Sequence, residues 1–271
     1  MLLGVAHGSK DPQSHVVVES LLARVGALRP GLVAAAAYVD NASPSVRSAL
    51  ADLVAEGVQD VVVVPLLLTP ASHSKTDVAA SVQQGRRDHP GLRLRYGRPL
   101  GPHPALVQVL ARRLAEAGVA DEPVVLVAGG ALDPDANAQV AATARLLYEG
   151  RSFASVDIAF ASTAQPSLPE VLERLQRLGF SRVGVSRYFL APGRLPLAVQ
   201  QSAGQASLEV LVAEPIGAAE EVAALVLERY DEARGTDVRM NCDACLYRVA
   251  MPGREDAVGA PQVPHTHPDD A

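Results

Sequence analysis

The sequence contains little cysteine and no tryptophan. Its 271 residues include two cysteines, Cys242 and Cys245, and both lie near the carboxyl end. A disulfide framework therefore cannot hold the fold together. A hydrophobic content of 48% instead predicts sizeable apolar cores, and the length leaves room for two medium-sized domains.

Excess positive charge and long apolar runs are also missing. The net charge is −6 and the isoelectric point is about 5.6, whereas phosphate binding needs clustered lysine and arginine. No apolar run approaches the length of about 18 residues that a membrane span needs. The start, Met1-Leu2-Leu3-Gly4, lacks the charged region that opens a signal peptide. We expect a soluble, cytoplasmic protein without nucleic-acid or membrane partners.

Several well-known catalytic motifs do not occur. The sequence has neither the G-x-G-x-x-G dinucleotide motif nor the G-x-x-x-x-G-K-[ST] phosphate loop. It also lacks the G-x-S-x-G elbow of α/β-hydrolases. The absence of these motifs disfavours nucleotide-binding and hydrolase functions.

Short apolar runs alternate with amphipathic segments along most of the chain. Strands are predicted at 2–6, 33–39, 60–67, 92–96, 124–128, 155–160, 182–189 and 208–212. Helices are predicted at 13–28, 44–56, 75–88, 103–117, 136–148, 167–178, 195–203 and 218–233. This alternation is typical of βαβ units in parallel sheets.

The second half of the pattern repeats the first. Residues 5–12 line up with 127–134, and residues 42–45 line up with 164–167, at a constant offset of 122 (127 − 5 and 164 − 42). Such self-similarity indicates duplication of a whole domain.

The repeat predicts two tandem flavodoxin-like α/β domains, each a parallel sheet flanked by helices. The first spans 1–120 and carries the active site. The second spans 121–233 and is a degenerate copy, and a flexible tail follows at 234–271. Because two domains already face each other, we expect a monomer.

Two histidines follow apolar strands of the first half. His7 and His73 should share one rim, because loops at the carboxyl ends of parallel strands lie together. Imidazole binds divalent iron, cobalt, nickel or zinc and also accepts protons near neutral pH. The second half has Gly129 in place of His7 and no histidine in 191–194, so we predict catalytic and metal-binding roles over the alternative of ordinary loop histidines. The other histidines of the predicted domains are interpreted as surface or capping residues: His15, His89 and His103.

Polar residues surround the two histidines. Asp40 ends the second predicted strand, where it either completes the metal site or acts as a turn residue or helix cap. Ser9, Lys10, Ser72 and Lys75 would suit an anionic substrate. Ser72 could equally cap the following helix.

These motifs resemble a known family. His7-Gly8-Ser9, the segment Tyr-Val-Asp-Asn-Ala-Ser-Pro-Ser at 38–45, the run from Pro65 to Asp77, and Leu-Gly-Pro-His-Pro at 100–104 are similar to those of sirohydrochlorin chelatases of the CbiX/SirB type. The resemblance covers the first 117 residues, with the second half as a weaker repeat.

The resemblance implies an enzyme that inserts Fe²⁺ or Co²⁺ into sirohydrochlorin, on the path to sirohaem or cobalamin. It implies that His7 and His73 bind the metal and help to remove the pyrrole protons. Asp40 stands where the family usually has glutamate, so its side chain is one methylene shorter. The alternatives are a ferrochelatase acting on another tetrapyrrole and a non-catalytic metal or tetrapyrrole carrier.

The tail contains one Cys-x-x-Cys motif. Met240, Cys242 and Cys245 form an M-x-C-x-x-C arrangement that is similar to one in longer cobalt-type members of the family, where it is linked to an iron–sulfur cluster. The alternative is a pair of thiols in a mobile tail. If a cluster forms, its other ligands must come from a second subunit or from residues other than cysteine.

Overall fold

The fold alternates strands and helices in the predicted order. A computed structural model describes residues 1–71, 73–235 and 255–260, and for His73 and Glu255 it describes the backbone alone. The strands are β1 (Leu2–Ala6), β2 (Ala34–Tyr38), β3 (Asp60–Pro65), β4 (Arg93–Tyr96), β5 (Val124–Ala128), β6 (Val156–Phe160), β7 (Arg182–Arg187) and β8 (Glu209–Val212). The helices are α1 (Pro12–Leu28), α2 (Val46–Ala55), α3 (Val78–Asp88), α4 (Pro104–Glu116), α5 (Pro134–Glu149), α6 (Leu168–Arg177), α7 (Arg194–Gly204) and α8 (Glu220–Arg234).

The strands form two parallel four-stranded sheets, which confirms the predicted fold class. Their orders are β2-β1-β3-β4 and β6-β5-β7-β8. Helices cover both faces of the central strands, so these strands need continuous apolar runs. Val61 to Val64 of β3 are accordingly buried, whereas the edge strands β2 and β4 are partly exposed.

The two halves repeat the same unusual backbone conformations. Gly8 and Gly130 both have positive φ, at 95° and 87°, and so do Asn41 and Thr163, at 53° and 62°. Each pair is separated by 122 residues (130 − 8 and 163 − 41), the offset seen in the sequence. The sequence repeat is therefore a repeat of structure down to individual turns.

The largest departure from the predicted boundaries follows β3. This strand ends at Pro65, two residues earlier than predicted, where proline has no N–H to donate to the sheet. The next α-helix begins at Val78 rather than 75, because a π-helical turn, His73–Asp77, precedes it. Such turns are rare and occur frequently at functional sites.

The last helix of each half packs on the other half. α8 lies against α1 and β3 of the first half, and α4 lies against α5 and β7 of the second. One hydrophobic cluster consequently spans both sheets and includes Leu2, Leu21, Leu126, Val140 and Val226. The halves share a core, so the stability of each depends on the other.

A helix that crosses a membrane needs about 20 consecutive, mostly apolar residues. Within residues 1–71, 73–235 and 255–260, no helix has both the length and the apolar character needed to cross a membrane.

A buried arginine fixes α8 to the first half. Arg229 is 1% exposed, and its guanidinium donates to the carbonyl oxygens of Pro99, at 3.1 Å, and Leu100, at 3.3 Å. It also pairs with Glu228 and Glu232 at 2.8 and 2.9 Å. This cation satisfies backbone acceptors that the packing of α8 removes from water.

Arg229→Met should lower the free energy of unfolding by about 3 kcal/mol, because it leaves buried carbonyls and partly buried carboxylates without their donor. Urea unfolding should still show one cooperative transition for both halves. The matched control is Arg47→Met, which removes an exposed ion pair to Asp88 at 3.4 Å and should cost less than about 1 kcal/mol. Two separate transitions, or equal losses in the two variants, would contradict the shared core.

Candidate functional site

Two loops meet at the point where the connections of the first sheet diverge. The chain leaves β1 towards β2 on one side, whereas β3 pairs with the other side of β1. In parallel α/β sheets, ligands bind beyond the carboxyl ends of strands at such a point. His7 directly follows β1, and His73 lies in the connection that follows β3. The fold therefore starts the two predicted loops at the same edge of the sheet, from neighbouring strands.

The backbone of the loop that carries His7 packs closely on the backbone of the loop after β2. The amide of Asp40 donates to the carbonyl of His7 at 2.9 Å, and the amide of Val39 donates to that of Ala6 at 3.0 Å. A Cβ atom on Gly8 would lie 1.7 Å from the Asp40 carbonyl oxygen. Only glycine permits this approach together with a φ of 95°. The result is an exposed His7 on a tightly held backbone.

His15 supports this loop from α1. Its Nε2 lies 2.9 Å from the carbonyl oxygen of Ser9, and its ring lies 5.1 Å from that of Tyr38. His15 is partly exposed, and its contact with the loop goes beyond the predicted surface or capping role. His103 does cap α4, with Nδ1 accepting from the amide of Ala105 at 3.2 Å. The available signal was a histidine in the first turns of the helix that follows the loop of His7.

Asp40 lies next to His7 but has nearby partners of its own. Its carboxylate accepts hydrogen bonds from the amide of Asn41, at 2.7 Å, and from the side chain of the same residue. The side chain is only partly buried. This geometry is that of a turn residue, and it keeps the carboxylate beside the loop of His7.

The segment after His73 is polar and buried. Ser74, Lys75, Thr76 and Asp77 are all at most 9% exposed. The amides of Ser74 and Lys75 donate to the carbonyl of Ala71, and the phenol of Tyr96 donates to the carbonyl of Ser74 at 2.6 Å. The backbone around His73 is therefore fixed by hydrogen bonds on its carboxyl side.

The side chain of Lys75 is not available as the predicted substrate ligand. Its ammonium donates to Asp133 at 2.7 Å and to Asp135 at 2.9 Å, and all three side chains are at most 7% exposed. Burial acts to lower the pKa of Lys75, but the two carboxylates outweigh it and the pKa is raised above its usual value. The structure thus assigns Lys75 to the contact between the halves rather than to the substrate.

A tyrosine of the second half also reaches this loop. The phenol of Tyr188 donates to the carbonyl oxygen of Leu68 at 3.1 Å. Burial raises the pKa of Tyr188 to about 12, so the phenol remains a donor at neutral pH. Gly101 lies between them, since a Cβ atom there would be 2.5 Å from the Tyr188 oxygen and 2.4 Å from the Leu68 carbonyl.

The second half lacks the loop that carries His73. Twelve residues, 66–77, separate β3 from α3, whereas six residues, 188–193, separate β7 from α7. A Cβ atom on Gly129, which replaces His7, would lie 3.6 Å from Leu195 and 3.9 Å from Phe189. Apolar side chains therefore occupy the rim where the first half has polar ones.

The other predicted site residues are placed as follows. Lys10 is exposed in the loop after β1, and the Ser9 hydroxyl accepts a hydrogen bond from the amide of Asp11 at 3.1 Å. Ser72, Cys242 and Cys245 lie outside the described residues. Among the side chains that the structure describes, no three of His, Cys, Asp and Glu lie close enough together to hold a metal ion.

A comparison with family models identifies the chain. The model described as CbiX matches residues 1–117 and 123–233, one match for each half. The chain belongs to the CbiX family. A relative from Priestia megaterium named sirohydrochlorin cobaltochelatase is 31% identical over 261 residues, covering 92% of this chain and 85% of the relative.

Two further comparisons agree with membership of the CbiX family. A sirohydrochlorin ferrochelatase, also from Priestia megaterium, is 26% identical and covers 77% of this chain and 79% of its own length. The solved structure of SirB from Bacillus subtilis with Fe³⁺ is 26% identical and matches with a TM-score of 0.74, covering 86% of this chain and 95% of that one.

The two equivalent glycines of this CbiX-family chain allow a matched test. Gly8→Ala and Gly130→Ala introduce the same clash, because a Cβ on Gly130 would lie 2.1 Å from the carbonyl oxygen of Ser162. Each should lower the free energy of unfolding by about 3 kcal/mol, through a strained positive φ and steric overlap.

Only Gly8→Ala should also weaken Co²⁺ binding, by about tenfold or more, because it displaces the backbone of His7. Urea unfolding and a visible-absorption titration with Co²⁺ measure the two effects. Equal Co²⁺ affinities in the two variants would show that the loop of His7 is not part of the metal site.

Proposed function

We propose that this chain is a sirohydrochlorin chelatase that inserts Co²⁺ into its substrate at a site formed by His7 and His73. The observation that carries the proposal is the convergence of their two loops at the diverging connections of the first sheet. The second half has neither histidine and a loop six residues shorter (12 − 6), so one site per chain is expected.

Cobalt is favoured over iron by the relatives. The cobaltochelatase from Priestia megaterium is 31% identical and covers 92% of this chain, whereas the ferrochelatase of the same organism is 26% identical and covers 77%. Imidazole and carboxylate ligands accept both ions, and affinity rises from Fe²⁺ to Co²⁺ in such sites. Fe²⁺ insertion is the second candidate, supported by that ferrochelatase relative.

Insertion of the metal requires two tasks of the protein. The hydrated ion must lose water, and the macrocycle must lose two pyrrole protons as the M²⁺ ion replaces them. His7 and His73 can hold the ion before transfer, and once the ion has moved to the macrocycle each neutral imidazole can accept one of the two pyrrole protons. Two imidazoles with Asp40 nearby form an open ligand set, which releases the metal more readily than a closed four-ligand site does.

A macrocycle that bears carboxylates needs cations for the carboxylates and apolar side chains for its ring, and the loops around His7 offer both. Lys10 is an exposed cation beside His7, and Arg194 is exposed at the start of α7. A Cβ atom on Gly193 would lie 3.3 Å from the hydroxyl oxygen of Ser9, so the loops that carry these two cations lie close together. Lys10, Ser9 and Arg194 are assigned to the carboxylates, and Phe189 and Leu195 to the apolar ring.

The tail and the assembly state complete the proposal. Cys242 and Cys245 are assigned to an iron–sulfur cluster that needs further ligands from elsewhere, and no step of the insertion is assigned to it. The chain is proposed to act as a monomer, because its two halves already pack on each other through α4 and α8.

An anaerobic absorbance assay tests the proposal. With sirohydrochlorin and Co²⁺, the wild-type chain should complete many turnovers, faster than with Fe²⁺. His7→Ala and His73→Ala should each lower kcat by about 100-fold, the usual contribution of a group that moves a proton. His89→Ala is the matched control, because His89 ends α3 at the opposite edge of the sheet, and it should retain full activity.

Other outcomes separate the alternatives. One metallated product per chain would indicate a carrier, and turnover with a porphyrin but not with sirohydrochlorin would indicate a different chelatase. Full activity in both His7→Ala and His73→Ala would refute the site.

A further inference from the structure

The half of the chain without the histidines contacts the loop that carries one of them. We propose that Asp133 and Asp135 are positioning residues, which hold Lys75 and thereby fix the π-helical turn that begins at His73. This inference rests on the proposed function, because it takes His73 as a metal ligand. It gives the second half an indirect part in the reaction, through the position of His73.

The contact is specific and fully buried. Lys75 is two residues after His73 in the same π-helical turn, His73–Asp77. Its Nζ reaches two carboxylates at once, at 2.7 Å on Asp133 and 2.9 Å on Asp135. The turn cannot shift along the surface of the second half without breaking both bonds.

Both carboxylates are themselves held in place. The Asp135 amide donates to Oδ1 of Asp133 at 3.1 Å, which makes Asp133 the N-cap of α5. The side-chain amide of Gln139 donates to Oδ1 of Asp135 at 3.1 Å. The other oxygen of each aspartate accepts from Lys75. Two acidic groups beside the N-terminus of a 16-residue helix are stabilised by its dipole, so the receptor for Lys75 is rigid.

A second contact fixes the other end of the same loop. The phenol of Tyr188 donates to the carbonyl of Leu68 at 3.1 Å, and Leu68 is five residues before His73 (73 − 68). The second half thus holds the connection between β3 and α3 on both sides of His73. Neither contact requires a histidine in the second half.

The pair of aspartates that binds Lys75 is not repeated in the first half. At the offset of 122, Asp133 corresponds to Asp11, which likewise caps its helix, with Oδ1 accepting from the amide of Gln13 at 2.9 Å. Asp135 corresponds to Gln13 itself. The second carboxylate is therefore present only in the half that faces Lys75.

The decisive experiment separates positioning from stability with two variants of the full chain. Lys75→Met removes both bonds and leaves two buried carboxylates without the lysine cation. The double variant Lys75→Met with Asp135→Asn also lacks both ionic bonds, but its net buried charge of −1 equals that of the original triad. Its thermal midpoint should therefore recover most of what Lys75→Met loses.

Two readouts follow the loop. Hydrogen exchange of the backbone amides at positions 74 and 75 should be about tenfold or more faster in both variants than in the wild-type chain. In the chelatase assay, kcat should fall about 100-fold while KM for sirohydrochlorin stays unchanged, because a misplaced ligand affects the transfer step. Arg98→Met is the matched control, since it breaks another ion pair between the halves, to Glu232 at 2.6 Å.

The behaviour of the double variant distinguishes a positioning role from a purely stabilising one. Fast exchange and low kcat that persist in the double variant support positioning, even after its thermal midpoint recovers. Recovery of slow exchange and full kcat together with the midpoint would refute it, and so would equal effects of Arg98→Met. Amide exchange needs no turnover, so an inactive wild-type chain would refute the proposed function and still leave the positioning role measurable.

Discussion

The parallel pairing of β1 with β3 is the constraint on which the site depends. Leu3 lies opposite Val63 and Gly4 opposite Val64, and both strands are buried from two sides. Because the chain turns away in opposite directions from these neighbouring strands, their carboxyl ends are left open to a ligand. The loops of His7 and His73 begin at the same edge because the core strands pair, so the candidate site is tied directly to the hydrophobic core.

The second half of the chain is a structural part of the first, not an independent duplicate. Its last helix, α8, covers β3, and α4 covers β7 in return, so each sheet lacks a wall without the other half. The loop after β7 is half as long as that after β3, and Phe189 and Leu195 lie around Gly129. The second half thus repeats the framework of the first, but it has a shorter loop after its third strand and apolar side chains around Gly129.

Much of the fold could be predicted because local patterns of apolar and polar residues determine its strands and helices. The run from Val61 to Val64, the repeat at an offset of 122 and the alternation of strands and helices all indicated tandem parallel sheets. The exchange of α4 and α8 could not be predicted, because an amphipathic helix does not specify which of two apolar sheets it covers.

The site was less predictable for a similar reason. The sequence predicts that Lys75 meets an anionic substrate, because it places this cation two residues from His73. Its partners Asp133 and Asp135 are 58 and 60 residues away in the sequence, and the Asp133-Pro134 pair matches an ordinary helix start. His15 likewise binds its loop only through the folded geometry. Local motifs located the loops, whereas tertiary contacts determine what supports them.

Cobalt X-ray absorption spectroscopy of the full chain with one equivalent of Co²⁺ tests the central claim most directly. Two imidazole ligands make a distinct multiple-scattering pattern, and the account predicts two of them together with oxygen ligands. A first shell dominated by sulfur would place the ion on Cys242 and Cys245, and a shell of oxygen alone would exclude both histidines. Either result would contradict a metal site between the loops of His7 and His73.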